Sequence, residues 1–170
     1  MSLVQNIART YRAPRKVVAW LIAQDPREPQ VLMFMMLACA LIFVSQWPVL
    51  SRAAYLDPSV TFQQRMGGAL FGIMFLLPLL LYGLAGLMQL GLRLVSGKVV
   101  GLHVRLVLFW SLLAVTPLTL LRGGLSAFLG TTPAVAAFGF VVLAVFLYIL
   151  GAGLSVVVRS HPPEAGKREA

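Results

Sequence analysis

Four stretches of this chain carry no charged side chain over lengths that match the hydrocarbon thickness of a bilayer: residues 31–49, 67–92, 106–121 and 133–158. A helix rises 1.5 Å per residue, so about 20 apolar residues cross a hydrocarbon core of roughly 30 Å. The third stretch is short, but it lengthens at either end if Arg105 and Arg122 carry their charged heads toward water along their methylene stems. The fourth begins at Pro133, a favoured first helical residue, and ends against Arg159. These four runs predict an all-α integral membrane bundle of four transmembrane helices.

Composition limits the chemistry. Apolar residues make up 59% of the 170 and charged residues only 11%, and 14 Lys and Arg stand against 5 acids for a net charge of +9. A carboxylate pair for acid and base catalysis, or a metal cage, needs several such groups close together. Asp25, Glu28, Asp57, Glu164 and Glu169 all fall outside the apolar runs, and His103 and His161 are far apart in sequence. Cys39 is the single cysteine, which excludes an internal disulfide and a cysteine zinc site. Ser51, Ser96, Ser111 and Ser126 lack a histidine and acid pair to activate them, and neither GALFGI nor RGGLSAFLG has the lysine of a phosphate loop. The expectation is therefore a protein without catalytic, metal or cofactor-binding residues.

The charges are unevenly placed. RTYRAPRK, residues 9–16, holds four cations in eight positions. With four spans, the N-terminal segment, the second loop and the tail share one side of the membrane. That side carries eleven of the 14 Lys and Arg, leaving Arg52, Arg65 and Arg122 for the other. Short loops rich in Lys and Arg stay cytoplasmic, so both termini are expected in the cytoplasm. The apolar run begins only at Val31, too late for a cleaved export signal.

Leu3, Val4, Ile7 and Tyr11, then Val17, Val18, Leu21 and Ile22, recur near helical spacing on either side of Pro14. That pattern predicts an N-terminal interfacial amphipathic segment in two helical pieces. Arg9, Arg12, Arg15 and Lys16 are expected to face anionic lipid headgroups, each contributing about 1 kcal/mol near the surface. No nucleic-acid reading motif accompanies them, and the membrane accounts for the charge. The chain divides into a basic segment over 1–30, a transmembrane domain over 31–158 and a cytoplasmic disordered tail over 159–170.

Within the spans, Pro78 and Pro117 predict kinks, since proline removes a backbone hydrogen bond, and Thr116 is placed to bond the carbonyl that Pro117 leaves free. Gly68 and Gly72 have the spacing that permits close helix approach inside the bundle or between copies, and Gly83, Gly86, Gly91, Gly151 and Gly153 are expected to mark further contacts. Trp47 and Trp110 are expected as interfacial anchors. No ionisable residue stands at the centre of a span, which disfavours ion-coupled transport.

A basic amphipathic lead with AQDPREP, then a glycine-interrupted span running into RLVSGKVVGLHVRLVLFWSLLAVTPLTLL, resembles the bacterial branch of the YIP (Ypt/Rab-interacting protein) family over residues 10–158. Its glycine, basic, aromatic and proline positions correspond to Gly97, Arg105, Phe109, Trp110 and Pro117. The resemblance implies a small multi-helix membrane domain without established enzymatic chemistry, and five spans where this sequence gives four. Eukaryotic members are similar to vesicle-trafficking adaptors that contact small GTPases through cytosolic regions absent here. The function expected is a non-enzymatic scaffold or adaptor in the bacterial inner membrane, with a protein partner or a second copy of the chain. The alternative is a small permease, channel or transporter subunit, hinged at Pro78 and Pro117 around a polar cavity.

Overall fold

The computed structural model describes residues 3–96, 99–130 and 132–159, and it is helical throughout them apart from short connections. Helices α1 (Leu3–Arg12) and α2 (Pro14–Ala23) precede α3 (Glu28–Leu56). Helix α4 (Phe62–Phe71) passes through a π-helical turn at Gly72–Leu76 into α5 (Leu77–Ser96). Helices α6 (Gly101–Leu129) and α7 (Pro133–Arg159) complete the chain. Four of these helical rods, counting α4 to α5 as one, are long and apolar enough to cross a membrane. Gly97 and the tail beyond Arg159 lie outside the described residues.

Local chemistry explains the ends. Pro14 opens α2, and Asp25, in the left-handed region at φ 50°, closes it ahead of Pro26. Thr61 caps α4: its hydroxyl accepts the Gln64 N–H at 3.3 Å while Gln64 Oε1 accepts the Thr61 N–H at 3.1 Å. In the loop before it, Asp57 accepts from the Ser59 N–H and hydroxyl and pairs with Arg65 at 2.9 Å.

Three spans run longer than expected, and the second begins at Phe62 rather than at Gly67. The first span does not stop at Val49: α3 continues through Pro48 to Leu56, and it begins at Glu28, inside the segment assigned to the N-terminal region. One proline costs one backbone bond, whereas ending the helix within apolar surroundings would expose several. The third span takes its longer form, with Arg105 and Arg122 both inside α6.

Helix α6 is the centre of the bundle and touches α1, α3, α5 and α7. Its residues 106–111 are all buried, and Trp110 is only 1% exposed. The expected interfacial anchor is therefore a core residue. Phe34 of α3 meets Trp110 edge-on with centroids 5.2 Å apart, and Tyr82 of α5 meets Phe109 in the same way at 5.2 Å. Arg105 pairs with Glu28, fixing α6 to the start of α3. Trp47 remains exposed, edge-on to Phe43.

Backbone approach is closest where α3 and α6 cross. A Cβ added to Gly123 would stand 2.1 Å from the Ser45 carbonyl oxygen, so only glycine fits. Gly153 serves α7 in the same way, since a Cβ there would lie 2.5 Å from Val107 of α6 and 3.3 Å from Val18 of α2. A Cβ on Gly68, Gly72, Gly83, Gly86, Gly91 or Gly151 meets nothing within 4 Å. Of the glycines named from sequence as contacts inside the bundle, Gly153 makes one and these six do not.

Much of the apolar face of the N-terminal helices is covered by protein, while Val4 and Trp20 stay exposed. Val17, Val18 and Leu21 of α2 are buried, with α2 against α7. Tyr11 donates its phenol proton to the Ala114 carbonyl at 2.5 Å, and burial raises its pKa, which keeps that donor protonated. Trp110 donates its indole N–H to Thr10 Oγ1 at 3.2 Å, and the Thr10 hydroxyl donates to the Asn6 carbonyl at 2.7 Å.

Three outcomes are expected. Gly123→Ala destabilises the bundle by about 1–3 kcal/mol through overpacking, whereas Gly124→Ala, with nothing within 4 Å of its Cβ, is neutral; denaturation in detergent micelles measures both. Thr10→Val strands the Trp110 indole N–H and costs about 1–3 kcal/mol, read by the same denaturation together with tryptophan fluorescence. The Asp57 carboxyl is held below its ordinary value of 3.8, by the Ser59 hydroxyl first, then the Ser59 N–H and Arg65. Its stabilisation of the loop is thus present above that value and lost as pH falls through the lowered one. The Ser59 amide resonance should titrate below 3.8, and Ser59→Ala should move the midpoint up.

Candidate functional site

The basic residues singled out in the N-terminal segment gather on one surface. Arg9, Arg12, Arg15 and Lys16 are exposed on the side of α1 and α2 away from the core. This follows from helical spacing: Ile7, Thr10, Pro14, Val17 and Val18 take the inward positions and the cations fall between them. Arg15 and Lys16 also border a groove of about 360 Å³ whose opposite wall is Ser155, Val156 and Arg159 of α7. Arg159 thereby joins a cluster more than 140 residues away in sequence, because α2 packs on the last turns of α7.

The two prolines behave differently. Pro117 removes the donor that would serve the Leu113 carbonyl, and the Thr116 hydroxyl bonds that carbonyl at 2.8 Å. The helix continues unbroken through this position, with Thr116 buried. Pro78 lies two residues beyond the π-turn, where the Leu77 N–H bonds the Gly72 carbonyl five residues back. The irregularity of the second span is thus a wide turn on the N-terminal side of its proline.

A second region, absent from the sequence reading, lies at the far end of the bundle from Glu28 and Arg159. A cavity of about 460 Å³ opens between α3, α6 and the first turn of α7. Ile42, Val49 and Val135 give it apolar walls, and Ser45, Gln46, Thr119, Ser126 and Thr132 add polar groups. Arg122 is its one charged lining residue. A Cβ on Gly139 would stand 3.1 Å from Arg122 Nε, so the guanidinium lies across α7 at a point where no side chain intervenes. Gly130, at φ 68°, lets the chain turn between α6 and α7, and Arg52 reaches over it to donate to the Ala127 carbonyl at 3.3 Å. Sequence pointed only to Arg122 as a residue that extends toward water. The signal available was RGG, a cation followed by small residues, but the cavity requires residues from three helices.

Among the described residues no group of three or more His, Cys, Asp or Glu could hold a metal ion. The Ser45 and Ser126 hydroxyls donate to the Ile42 and Gly123 carbonyls of their own helices, and no histidine lines the cavity. The arrangement offers a basic surface at one end and an amphipathic cavity with one guanidinium at the other. The chain matches no protein-family model, no curated protein and no solved structure.

Proposed function

We propose that this chain is a non-enzymatic membrane scaffold or adaptor, organising a partner membrane protein or a second copy of itself through its helices and engaging anionic lipid through its basic surface. The observation that carries this reading is the exposure of the second span. Only 11% of the apolar window of Phe62–Leu94 is buried, against 28%, 61% and 33% for the other three spans. Along that rod a Cβ on Gly67, Gly68, Gly72, Gly83 or Gly86 meets no atom within 4 Å. Small residues let another helix approach closely in lipid, where apolar burial alone gives no preference for protein over acyl chains.

The reading extends to membership of the bacterial branch of the YIP family, residence in the bacterial inner membrane and cytoplasmic termini. Its support is the excess of Lys and Arg on the side of the termini and the four described positions of the resemblance, Arg105, Phe109, Trp110 and Pro117. All four lie in α6, with Phe109 and Trp110 at its buried centre.

The alternative, a small permease, channel or transporter subunit, draws on the cavity beside Arg122. Against it stands the packed interior of α6 toward the other end, where Trp110, Leu113 and Ala114 are at most 1% exposed. Crosslinking in native membranes, then copurification and mass spectrometry, separates the two readings. The scaffold reading expects a reproducible stoichiometric partner or a homo-oligomer. Gly68→Leu with Gly72→Leu should lower its yield about fivefold, the equivalent of about 1 kcal/mol of helix packing, and leave monomer stability unchanged. Recovery of the wild-type chain alone would defeat it and shift the weight to transport.

A further inference from the structure

We infer that the cavity between α3, α6 and α7 is a binding site for a phosphate ester, with the guanidinium of Arg122 as its anion contact. The first argument is charge. The cavity has one cation and no acid in its lining. The three described carboxylates are elsewhere: Glu28 pairs with Arg105, Asp57 pairs with Arg65, and Asp25 lies in the turn after α2. Among the described residues none accepts a hydrogen bond from Arg122 or forms an ion pair with it. A guanidinium within a membrane helix is costly unless an anion or water meets it, and its planar fork matches two oxygens of a phosphate.

The second argument is the set of neutral donors around it. The Thr132 hydroxyl oxygen is buried and has no hydrogen-bond partner, although it stands just before α7 and borders the cavity. Val135 and Ala136, in the first turn of the 27-residue α7, also line the cavity. The Ala136 N–H already donates to the Thr132 carbonyl at 3.1 Å, whereas Val135, one residue earlier, is among the first-turn positions whose N–H groups lack intrahelical acceptors and carry the positive end of the helix dipole. Arg122, Thr132 and this helix end thus converge on one space from two elements, and the Gln46 amide closes it from α3.

The third argument is depth and shape. Arg122 lies seven residues before the end of α6, about 10 Å along the axis. A 29-residue helix is about 43 Å long against a core of roughly 30 Å, so each end overhangs and Arg122 falls close beneath the headgroup level. Ile42 and Val49 offer apolar walls on α3 beside the polar groups. A phosphodiester on an acyl glycerol satisfies both halves of such a site. Free phosphate shares only the anionic half.

The test uses the full chain, purified in a mild uncharged detergent and stripped of native lipid. Native mass spectrometry then reads retention of phosphatidylglycerol, of diacylglycerol with the same acyl chains, and of phosphatidylglycerol in competition with millimolar inorganic phosphate. The expected result is one phosphatidylglycerol retained per chain, little diacylglycerol, and a loss of about tenfold or more in Arg122→Gln, the size of a lost charge-assisted bond. Arg93→Gln, which removes a charge near the end of α5 and outside the cavity lining, should retain lipid as the wild type does. Ala136→Leu, which fills the cavity and keeps the charge, should lose it, so the outcome does not depend on the folding of one variant. Persistence of the lipid against inorganic phosphate identifies a headgroup as the source, and displacement by it identifies free phosphate. Equal retention in Arg122→Gln and wild type, equal loss in Arg93→Gln, or equal retention of diacylglycerol overturns the inference.

Discussion

Burial of α6 is the constraint on which the remainder of the bundle depends. In lipid, acyl chains are as apolar as leucine, so helices associate through close packing and satisfied polar groups. Helix α6 has both. Its glycine at 123 lets the α3 backbone approach, and its Val107 fills the space that Gly153 leaves on α7. Its aromatic centre, Phe109 and Trp110, takes edge contacts from Tyr82 and Phe34 on two different helices. A proline within such a helix is tolerable because the carbonyl it deprives is bonded by the adjacent threonine.

The N-terminal helices show how one pattern serves two purposes. Their apolar spacing suits a headgroup layer, yet Ile7, Val17, Val18 and Leu21 are buried in the bundle, with α1 against α6 and α2 against α7. Thr10 and Tyr11 add hydrogen bonds to α6 that a lipid surface would not require. The cations remain outward because helical spacing leaves them no inward position, and docking on α7 brings Arg159 beside Arg15 and Lys16. The basic surface is thus attached to the bundle core rather than tethered to it by a linker.

The two ends of the molecule differ in kind. At the end bearing Glu28 and Arg159 the interior is filled by large side chains, and buried polar groups such as Thr10 and Ser111 are hydrogen-bonded within the protein. At the opposite end α3, α6 and α7 leave a cavity, with polar groups turned into it. Against the centre of α6, the second span presents a face that this chain covers least. A bundle of this form has room for recognition at its surfaces and at one end, and little in the packed half.

The sequence by itself determined the all-helical class and the four spans, because uncharged runs of about 20 residues have few other solutions. It also determined the break at Pro14 and the pairing of Thr116 with Pro117, since both are effects between neighbours. Tertiary structure alone decided that Trp110 is a core residue, that Gly123 rather than Gly68 or Gly72 is where helices nearly touch, and that Arg122 faces a cavity. The physical reason is that apolar segments carry little information about which face meets which neighbour. A tryptophan near an arginine reads the same at a membrane interface as in a core, and a glycine reads the same whether or not a backbone lies against it. Those distinctions arise only when residues such as 45 and 123, or 10 and 110, are brought together.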